Sequence, residues 1–188
     1  YPLFLVMGPV TSALAAGNRC MVKMAANSRH LCALLQRLVA QNFDEHTLAI
    51  VPGISGSVFS SIPFDHLIFT GSAETGRWVM RAAADNLTPV TLELGGKSPV
   101  IVAEDFDLKT AAARILQMKT VNAGQTCVAP DYLFVHESQL EAFVEHCRAI
   151  TPQRYPSLLT QDYTSILDQS AYGRLMEYLD DAESKGAQ

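Results

Sequence analysis

The sequence has no strongly basic stretch and no zinc-binding cysteine pattern. Its 188 residues contain 14 Lys and Arg against 19 Asp and Glu, a formal net charge of −5. No basic cluster is interleaved with aromatic residues, so we predict that the protein does not bind nucleic acid. The cysteines form no C-x-x-C pair, which argues against a zinc site. They are widely spaced, at Cys20, Cys32, Cys127 and Cys147.

An apolar run long enough to cross a bilayer is also absent. The most apolar segment, Tyr1 to Ala16, is shorter than the roughly 20 residues that a span requires, and Gly8-Pro9 interrupts it. Since no basic leader precedes it, we interpret it as a buried helix and not as a signal peptide. Free thiols without such a leader are typical of a reducing compartment, and we expect a cytoplasmic protein that is not membrane-bound.

What the sequence does contain is an alternation of strand and helix periodicities. Four short strands separated by helices are predicted at 19–24, 47–51, 66–70 and 90–94. Parallel neighbours need a crossover connection, so this order predicts a parallel sheet with helices on both faces. After Gly95-Gly96 the pattern changes, and strands at 99–102 and 131–135 flank a long helix from about 107 to 121. We predict an α/β fold with a Rossmann-like cofactor domain at 1–95 and the incomplete start of a second α/β catalytic lobe at 96–188.

Three of the predicted helices carry an apolar face. The first follows Asn27-Ser28 and presents Leu31, Leu34, Leu35, Leu38 and Val39. The second follows Ser72 and presents Gly76, Val79, Met80, Ala83, Ala84 and Leu87. The third, near 138–150, presents Leu140, Phe143, Val144 and Cys147. Such stripes predict the surfaces that pack on the sheet.

The first candidate site lies at the strand–helix junction formed by residues 69–77. In an open α/β sheet this crevice binds ligands, and the N–H groups that begin a helix attract phosphate. Gly71 and Gly76 have the spacing of a Walker A loop, but Arg77-Trp78 stands where Lys and Ser/Thr are needed, so a phosphotransferase is disfavoured. The dinucleotide fingerprint G-x-G-x-x-G is absent as well. On this segment alone, a helix cap at Ser72 without any ligand is an equally good interpretation.

Two further segments carry candidate catalytic side chains. Glu93 ends a strand and is followed by Gly95-Gly96, which lets backbone approach a ligand closely. A lone glutamate at a strand end is nevertheless more often simply solvated. Cys127 lies in a loop bounded by glycine and proline, which favours a reactive thiol over the cysteines within helices. A small buried thiol is an equally good alternative for it.

Taken together, the three segments resemble the aldehyde dehydrogenase superfamily. They are Phe69-Thr70-Gly71-Ser72, Glu93-Leu94-Gly95-Gly96-Lys97-Ser98-Pro99 and Gly124-Gln125-Thr126-Cys127. The strings at 87–93 and 127–132 are similar to the class 3 branch, especially its coniferyl aldehyde dehydrogenases. The resemblance spans essentially the whole chain, which corresponds to the central part of a family member.

The resemblance implies an oxidoreductase that converts an aldehyde, such as an aromatic or cinnamyl aldehyde, to the carboxylic acid with NAD or NADP. Cys127 would attack the aldehyde as a thiolate, and a thioester would remain after hydride transfer. Glu93 would then activate the water that hydrolyses the thioester. Family members that pass the acyl group to coenzyme A typically lack this glutamate, so Glu93 implies hydrolysis.

The resemblance also implies a set of cofactor-binding residues, with the loop at 71–76 holding the pyrophosphate. The set is Lys23, Thr70, Gly71, Ser72, Gly76 and Leu94. Lys23 matches the lysine that touches the adenosine ribose. Many NAD-preferring relatives carry a glutamate three residues later, where this sequence has Ala26. Losing that carboxylate removes a repulsion against a 2′-phosphate, so we predict measurable use of NADP.

Other parts of the family pattern are expected outside the sequence. A Trp-Asn pair, whose amide stabilises the oxyanion, would precede Tyr1, and a Glu-x-Phe-Gly-Pro segment would follow Gln188. Because losing one oxyanion donor can cost about 10²–10³ in turnover, we predict little activity from the 188 residues alone. We expect the full-length protein to be a homo-oligomer, and an unpaired sheet edge would favour association. The main alternative is a non-catalytic dinucleotide-binding or assembly fragment.

Overall fold

A computed structural model describes residues 1–187, in which helices and short parallel strands alternate. The chain divides into two compact units, Tyr1–Leu94 and Gly95–Gln188. The strands of the first unit are β1 (Cys20–Val22), β2 (Leu48–Ile50), β3 (Leu67–Thr70) and β4 (Val90–Glu93). Its helices are α1 (Pro2–Ala15), α2 (Arg29–Asn42), α3 (Gly56–Ser60) and α4 (Ala73–Ala84).

The strands of the first unit pair in parallel, two by two. β1 pairs with β2, placing Cys20 opposite Leu48, and β3 pairs with β4, placing Leu67 opposite Val90. Helix α2 connects the first pair and α4 connects the second. This is the crossover that parallel neighbours require, and the parallel α/β fold expected from the sequence is confirmed.

Two hydrophobic cores stabilise the first unit. One lies between α1, α2 and the β1–β2 pair and contains Val10, Met24, Cys32, Leu35, Val39, Leu48 and Ile50. The other lies beneath α3, α4 and β3 and contains Phe59, Leu67, Val79 and Ala83. Each buried aliphatic side chain contributes about 1.5–3 kcal/mol through the hydrophobic effect. The second core therefore anchors β3 through Leu67, and Val90 of β4 packs against it.

The faces of several helices differ from the predictions. Helix α1 is not a buried helix, because Val10 is its one buried residue and Phe4 is 74% exposed. The buried stripe of α2 is centred on Cys32, Leu35 and Val39, which leaves the predicted Leu34 and Leu38 exposed. Met80, Leu87 and Leu140 were likewise predicted to be apolar contacts and are exposed. Leu87 lies beyond the end of α4 with a φ of 56°.

Among its described residues, the second unit has one pair of parallel strands and three α-helices. The strands are β5 (Ser98–Ile101) and β6 (Pro130–Phe134), with an irregularity in the register between Ser98 and Pro99. The helices are α5 (Leu108–Thr120), α6 (Leu140–Arg154) and α7 (Gln169–Ser184). Its core consists of Val102, Ala111, Ala112 and Phe143. Helix α5 begins at a side-chain cap, in which an Asp107 carboxylate oxygen accepts a hydrogen bond from the Thr110 amide at 2.8 Å.

Within residues 1–187, no helix is long and apolar enough to span a membrane. The same part of the chain contains no group of three or more His, Cys, Asp and Glu side chains that could hold a metal ion. All four cysteines are free thiols.

Candidate active site

The carboxyl ends of β3 and β4 bring two of the predicted residues together. Thr70 lies opposite Glu93 in the parallel register, and the Gly71 amide donates to the Glu93 carbonyl oxygen at 3.0 Å. Both side chains are exposed. This is the edge of a parallel sheet at which ligands bind in open α/β folds. A candidate base and part of the candidate phosphate loop therefore share one edge of the first unit.

Ser72 caps the helix that begins at this edge. Its hydroxyl oxygen accepts a hydrogen bond from the Thr75 amide at 3.2 Å, and the same hydroxyl donates to Thr75 Oγ1 at 3.0 Å. The expected helix cap is therefore present. The backbone N–H groups of the first turn are the atoms that would hold a phosphate here, because a helix N-terminus carries a partial positive charge.

Gly76 and Leu94 contact each other. Gly76 is buried on α4, and a Cβ built at this position would lie 3.1 Å from Leu94 Cδ2 and 3.5 Å from Leu92 Cδ1. The absence of a side chain at 76 thus lets α4 pack closely on the end of β4. For these two residues the structure adds a packing role to the cofactor role expected from the sequence.

Lys23 lies directly after β1 and borders a cleft of about 1600 Å³ in the first unit. Its ammonium group donates to the Met24 carbonyl oxygen at 3.1 Å. Thr70 and Thr75 line the same cleft, whereas Gly71, Ser72, Gly76 and Leu94 do not. Strands β1 and β3 line this cleft. Within the described part of the chain, each of them pairs with a single strand, β1 with β2 and β3 with β4.

Cys127 follows an unusual turn at the end of α5. Asn122 and Ala123 have φ values of 53° and 55°, and Gly124 has a φ of 76°. Three successive residues are therefore left-handed, a conformation that costs a non-glycine residue about 1–2 kcal/mol. Asparagine tolerates it better than alanine does. The turn lies just before the cysteine, which is exposed.

The four thiols differ in their access to solvent. Cys32 is buried in the first core, while Cys20 and Cys147 are half-buried. Burial raises the pKa of the Cys20 and Cys147 thiols, which disfavours their thiolate forms. Because Cys127 is exposed, the alternative of a small buried thiol at this position is wrong.

Gly96 lies against the backbone of Cys127. A Cβ built at Gly96 would overlap the carbonyl oxygen of Cys127 and lie 3.1 Å from its carbonyl carbon. From the sequence, glycines at 95 and 96 are expected to let backbone approach a ligand. In the structure, Gly96 also has a close neighbour in the loop that carries the candidate nucleophile.

Gln125 belongs to the motif at 124–127, but its sequence position alone predicts no role for its side chain. Its side-chain amide bonds to the backbone of Ser165 and Leu167, some forty positions later in the chain. No local pattern predicts such contacts, because both partners lie in an irregular segment. Only the neighbouring Asn122 and Gly124, residue types that tolerate left-handed backbone, could have indicated the turn.

The family model described as "Aldehyde dehydrogenase family" matches residues 1–188. The chain belongs to the aldehyde dehydrogenase family. It is 52% identical over 190 residues to the "Probable coniferyl aldehyde dehydrogenase" of Pseudomonas aeruginosa, covering 100% of this chain and 40% of that protein. The chain therefore spans about two fifths of the length of this curated relative.

Solved structures of family members share the fold. The structure described as "Substrate bound state of Staphylococcus Aureus AldH" matches with a TM-score of 0.88 and 38% identity over 98% of this chain and 41% of that one. The NADP-dependent glyceraldehyde-3-phosphate dehydrogenase of Bacillus halodurans, complexed with NADP, matches at 0.86 and 30%, covering 100% and 40%. The Mycobacterium tuberculosis aldehyde dehydrogenase complexed with NAD+ matches at 0.86 and 31%, covering 98% and 40%.

Proposed function

We propose that the whole protein oxidises an aldehyde to a carboxylic acid with NAD or NADP, with Cys127 as nucleophile and Glu93 as base. The observation that carries this proposal is the exposed thiol of Cys127, held after a left-handed turn and beside Gly96. Gly96 follows Glu93 by three residues along the chain. The Pseudomonas aeruginosa relative is named as a probable coniferyl aldehyde dehydrogenase, which supports coniferyl aldehyde as a candidate substrate.

The chemistry assigns a distinct task to each side chain. The Cys127 thiolate adds to the aldehyde carbon, and the carbonyl oxygen becomes the oxyanion of a thiohemiacetal. When bound, the nicotinamide would supply the hydride acceptor. Loss of hydride from the same carbon leaves a thioester on Cys127. The Glu93 carboxylate takes a proton from water, the resulting hydroxide attacks the thioester, and the carboxylic acid leaves as the thiolate is restored.

Residues of the first unit fit a dinucleotide. Thr70, Gly71 and Ser72 stand at the carboxyl end of β3, where the start of α4 offers N–H groups to the pyrophosphate. Lys23 borders the same cleft as Thr70 and supplies a positive charge. We accordingly propose that the first unit binds the cofactor and that the second supplies the nucleophile.

The decisive experiment is an assay of the whole protein with NAD and NADP on a panel of aldehydes that includes coniferyl aldehyde. Cys127→Ala should abolish turnover, and Cys147→Ala should leave it unchanged because that thiol lies within α6.

Glu93→Gln should still release one equivalent of reduced cofactor and then stall at the thioester. Glu141→Gln, an exposed carboxylate on α6, is its control. Full turnover by Cys127→Ala would refute the proposal and favour the non-catalytic alternative.

Use of both cofactors is a separate part of the proposal. Ala26 is exposed in the short 3-10 turn Ala26–Ser28, three residues after Lys23. Ala26→Glu should lower kcat/KM for NADP about tenfold relative to NAD, since a carboxylate repels the 2′-phosphate. Ala26→Gln, which has the same size without the charge, should not. Binding of NADP far more weakly than NAD by the unaltered protein would refute this part.

A further inference from the structure

The Gln125 side chain is fully engaged in hydrogen bonds to backbone. Its Nε2 donates to the Asn122 carbonyl oxygen at 3.0 Å and to the Ser165 carbonyl oxygen at 3.1 Å. Its Oε1 accepts from the Leu167 amide at 2.9 Å. Both hydrogens of the amide group and its oxygen are thus used. The side chain is half-buried, where leaving such groups unpaired is costly.

Two further hydrogen bonds between Asn122 and Gln125 close the left-handed turn upon itself. Asn122 Nδ2 donates to the Gln125 carbonyl oxygen at 3.1 Å, and the Gln125 amide nitrogen donates back to the Asn122 carbonyl oxygen at 3.1 Å. Together with the side-chain bond to that same carbonyl, they brace residues 122–125 in a conformation that Ala123 disfavours. Without this brace, the turn before Cys127 would relax toward ordinary backbone angles.

The Gln125 side-chain bonds to Ser165 and Leu167 reach a segment that we call the strap, residues 155–168, between the end of α6 and the start of α7. A second contact pins the strap to the same region, because Thr120 Oγ1 at the end of α5 lies 2.7 Å from the Tyr155 hydroxyl. The ring of Tyr155 packs edge-on against Tyr163 with centroids 5.0 Å apart. The strap is therefore held on both sides of the turn, and the Gln125 contacts lie two residues before Cys127 in the chain.

We propose that Gln125 is a positioning residue, whose amide locks the turn at 122–124 to the strap and thereby fixes the backbone that aims the Cys127 sulfur. Its effect on turnover rests on the proposed function. Its effect on the loop does not, because the hydrogen bonds stand independently of any reaction. Displacement of a nucleophile by about 1 Å can lower a rate by up to about a hundredfold, so such a lock bears on the chemical step and not on substrate affinity.

The test compares Gln125→Met with Gln139→Met in the whole protein. Gln139 makes the same kind of contact elsewhere in the second unit, since its Nε2 donates to the Glu104 carbonyl oxygen at 2.8 Å. Gln125→Met should speed exchange of the Leu167 amide about tenfold and lower kcat about tenfold, with KM for the aldehyde within twofold. Gln139→Met should change none of these quantities.

Unchanged kcat in Gln125→Met, or an equal loss in both variants, would overturn the proposal. If Gln125→Met does not fold, the variant Gln125→Glu is used instead. Its carboxylate keeps an acceptor for the Leu167 amide but has no N–H group to donate to the Asn122 and Ser165 carbonyl oxygens. That variant should lower kcat while the Leu167 amide stays protected, and unchanged kcat would overturn the proposal equally.

If the unaltered protein oxidises no aldehyde, the proposed function fails and the positioning role is judged by alkylation. Gln125→Met must then alter the rate of Cys127 alkylation about fivefold or more, with that of Cys147 unchanged. Equal rates at Cys127 in the two proteins would reject the positioning role.

Discussion

Neighbouring residues around Cys127 tolerate very different changes. A methyl group at Gly96 would overlap the carbonyl oxygen of Cys127. A Cβ at Gly95, by contrast, would have no neighbour within 4 Å. The obstacle at 96 is backbone, which no side-chain rotation relieves. The adjoining glycines therefore have distinct roles, and that of Gly96 is structural support of the loop.

Gly96→Ala should lower the free energy of unfolding by about 1–3 kcal/mol and change the alkylation rate of Cys127, since the loop must shift. Urea unfolding and mass-resolved alkylation measure the two effects. Gly95→Ala is the matched control and should do neither. The same unfolding free energy and the same Cys127 alkylation rate in both variants would contradict the close contact between Gly96 and the Cys127 carbonyl.

Thiol reactivity gives a second prediction for single residues. Iodoacetamide at neutral pH should modify Cys127 about tenfold faster than Cys20, Cys32 or Cys147, because the thiolate is the reacting form and burial raises the pKa of Cys20 and Cys147. Peptide mass spectrometry over time resolves the four sites. Cys147 reacting first would refute the assignment of accessibility.

Among the elements, helix α5 is stabilised at its start by the Asp107 carboxylate, which caps it. The hydrogen bonds from the Thr110 side chain and amide lower the pKa of Asp107 below its ordinary value of 3.8. The folded protein thus binds that proton less readily than the unfolded chain. The stabilisation is complete above pH 3.8 and is lost as the pH falls through the lower, folded pKa.

Asp107→Ala should therefore lower the urea midpoint at neutral pH, and its difference from the unaltered protein should shrink well below pH 3.8. Urea titrations at several pH values measure this. Asp105→Ala, an exposed neighbour outside the cap, should show no such pH dependence. A difference that stays constant with pH would mean that the carboxylate charge plays no part.

The elements also show what could be predicted from sequence. Strand–helix alternation and the capping residue Ser72 are local signals, and the structure contains both. Burial within a helix is less local. Leu34 and Leu38 are as apolar as Leu35, and only the position of the neighbouring strands decides which of them is covered. The Gln125 contacts were unpredictable for the same reason, because their partners lie forty residues away.

At the scale of the whole molecule, the described residues form three sheets of two strands each. Two-stranded sheets are marginal by themselves, and open strand edges pair with other chains. β1 and β3 run along one cleft of the first unit with exposed apolar side chains at Met21 and Ile68. The strand edges of β1 and β3 that have no neighbouring strand among the described residues therefore lie in the same cleft as exposed apolar side chains.

We expect the 188-residue chain to self-associate as its concentration rises, and the double variant Met21→Lys, Ile68→Lys to do so less, because lysine on an edge opposes pairing. Light scattering coupled to size exclusion measures the mass. Val58→Lys, at another exposed apolar position, on α3, should have little effect. A monomer mass at every concentration would contradict this expectation.

The turn at 122–124 has a consequence for chirality. For three residues the backbone follows the hand that D-amino acids prefer, yet position 123 carries an L-alanine. Semisynthesis that inverts this single stereocentre should relieve the strain and raise the thermal midpoint, with the composition unchanged. The same inversion at Ala112, inside α5 and fully buried, should disrupt the helix. At position 123, the mirror-image residue would suit the molecule better than the natural one.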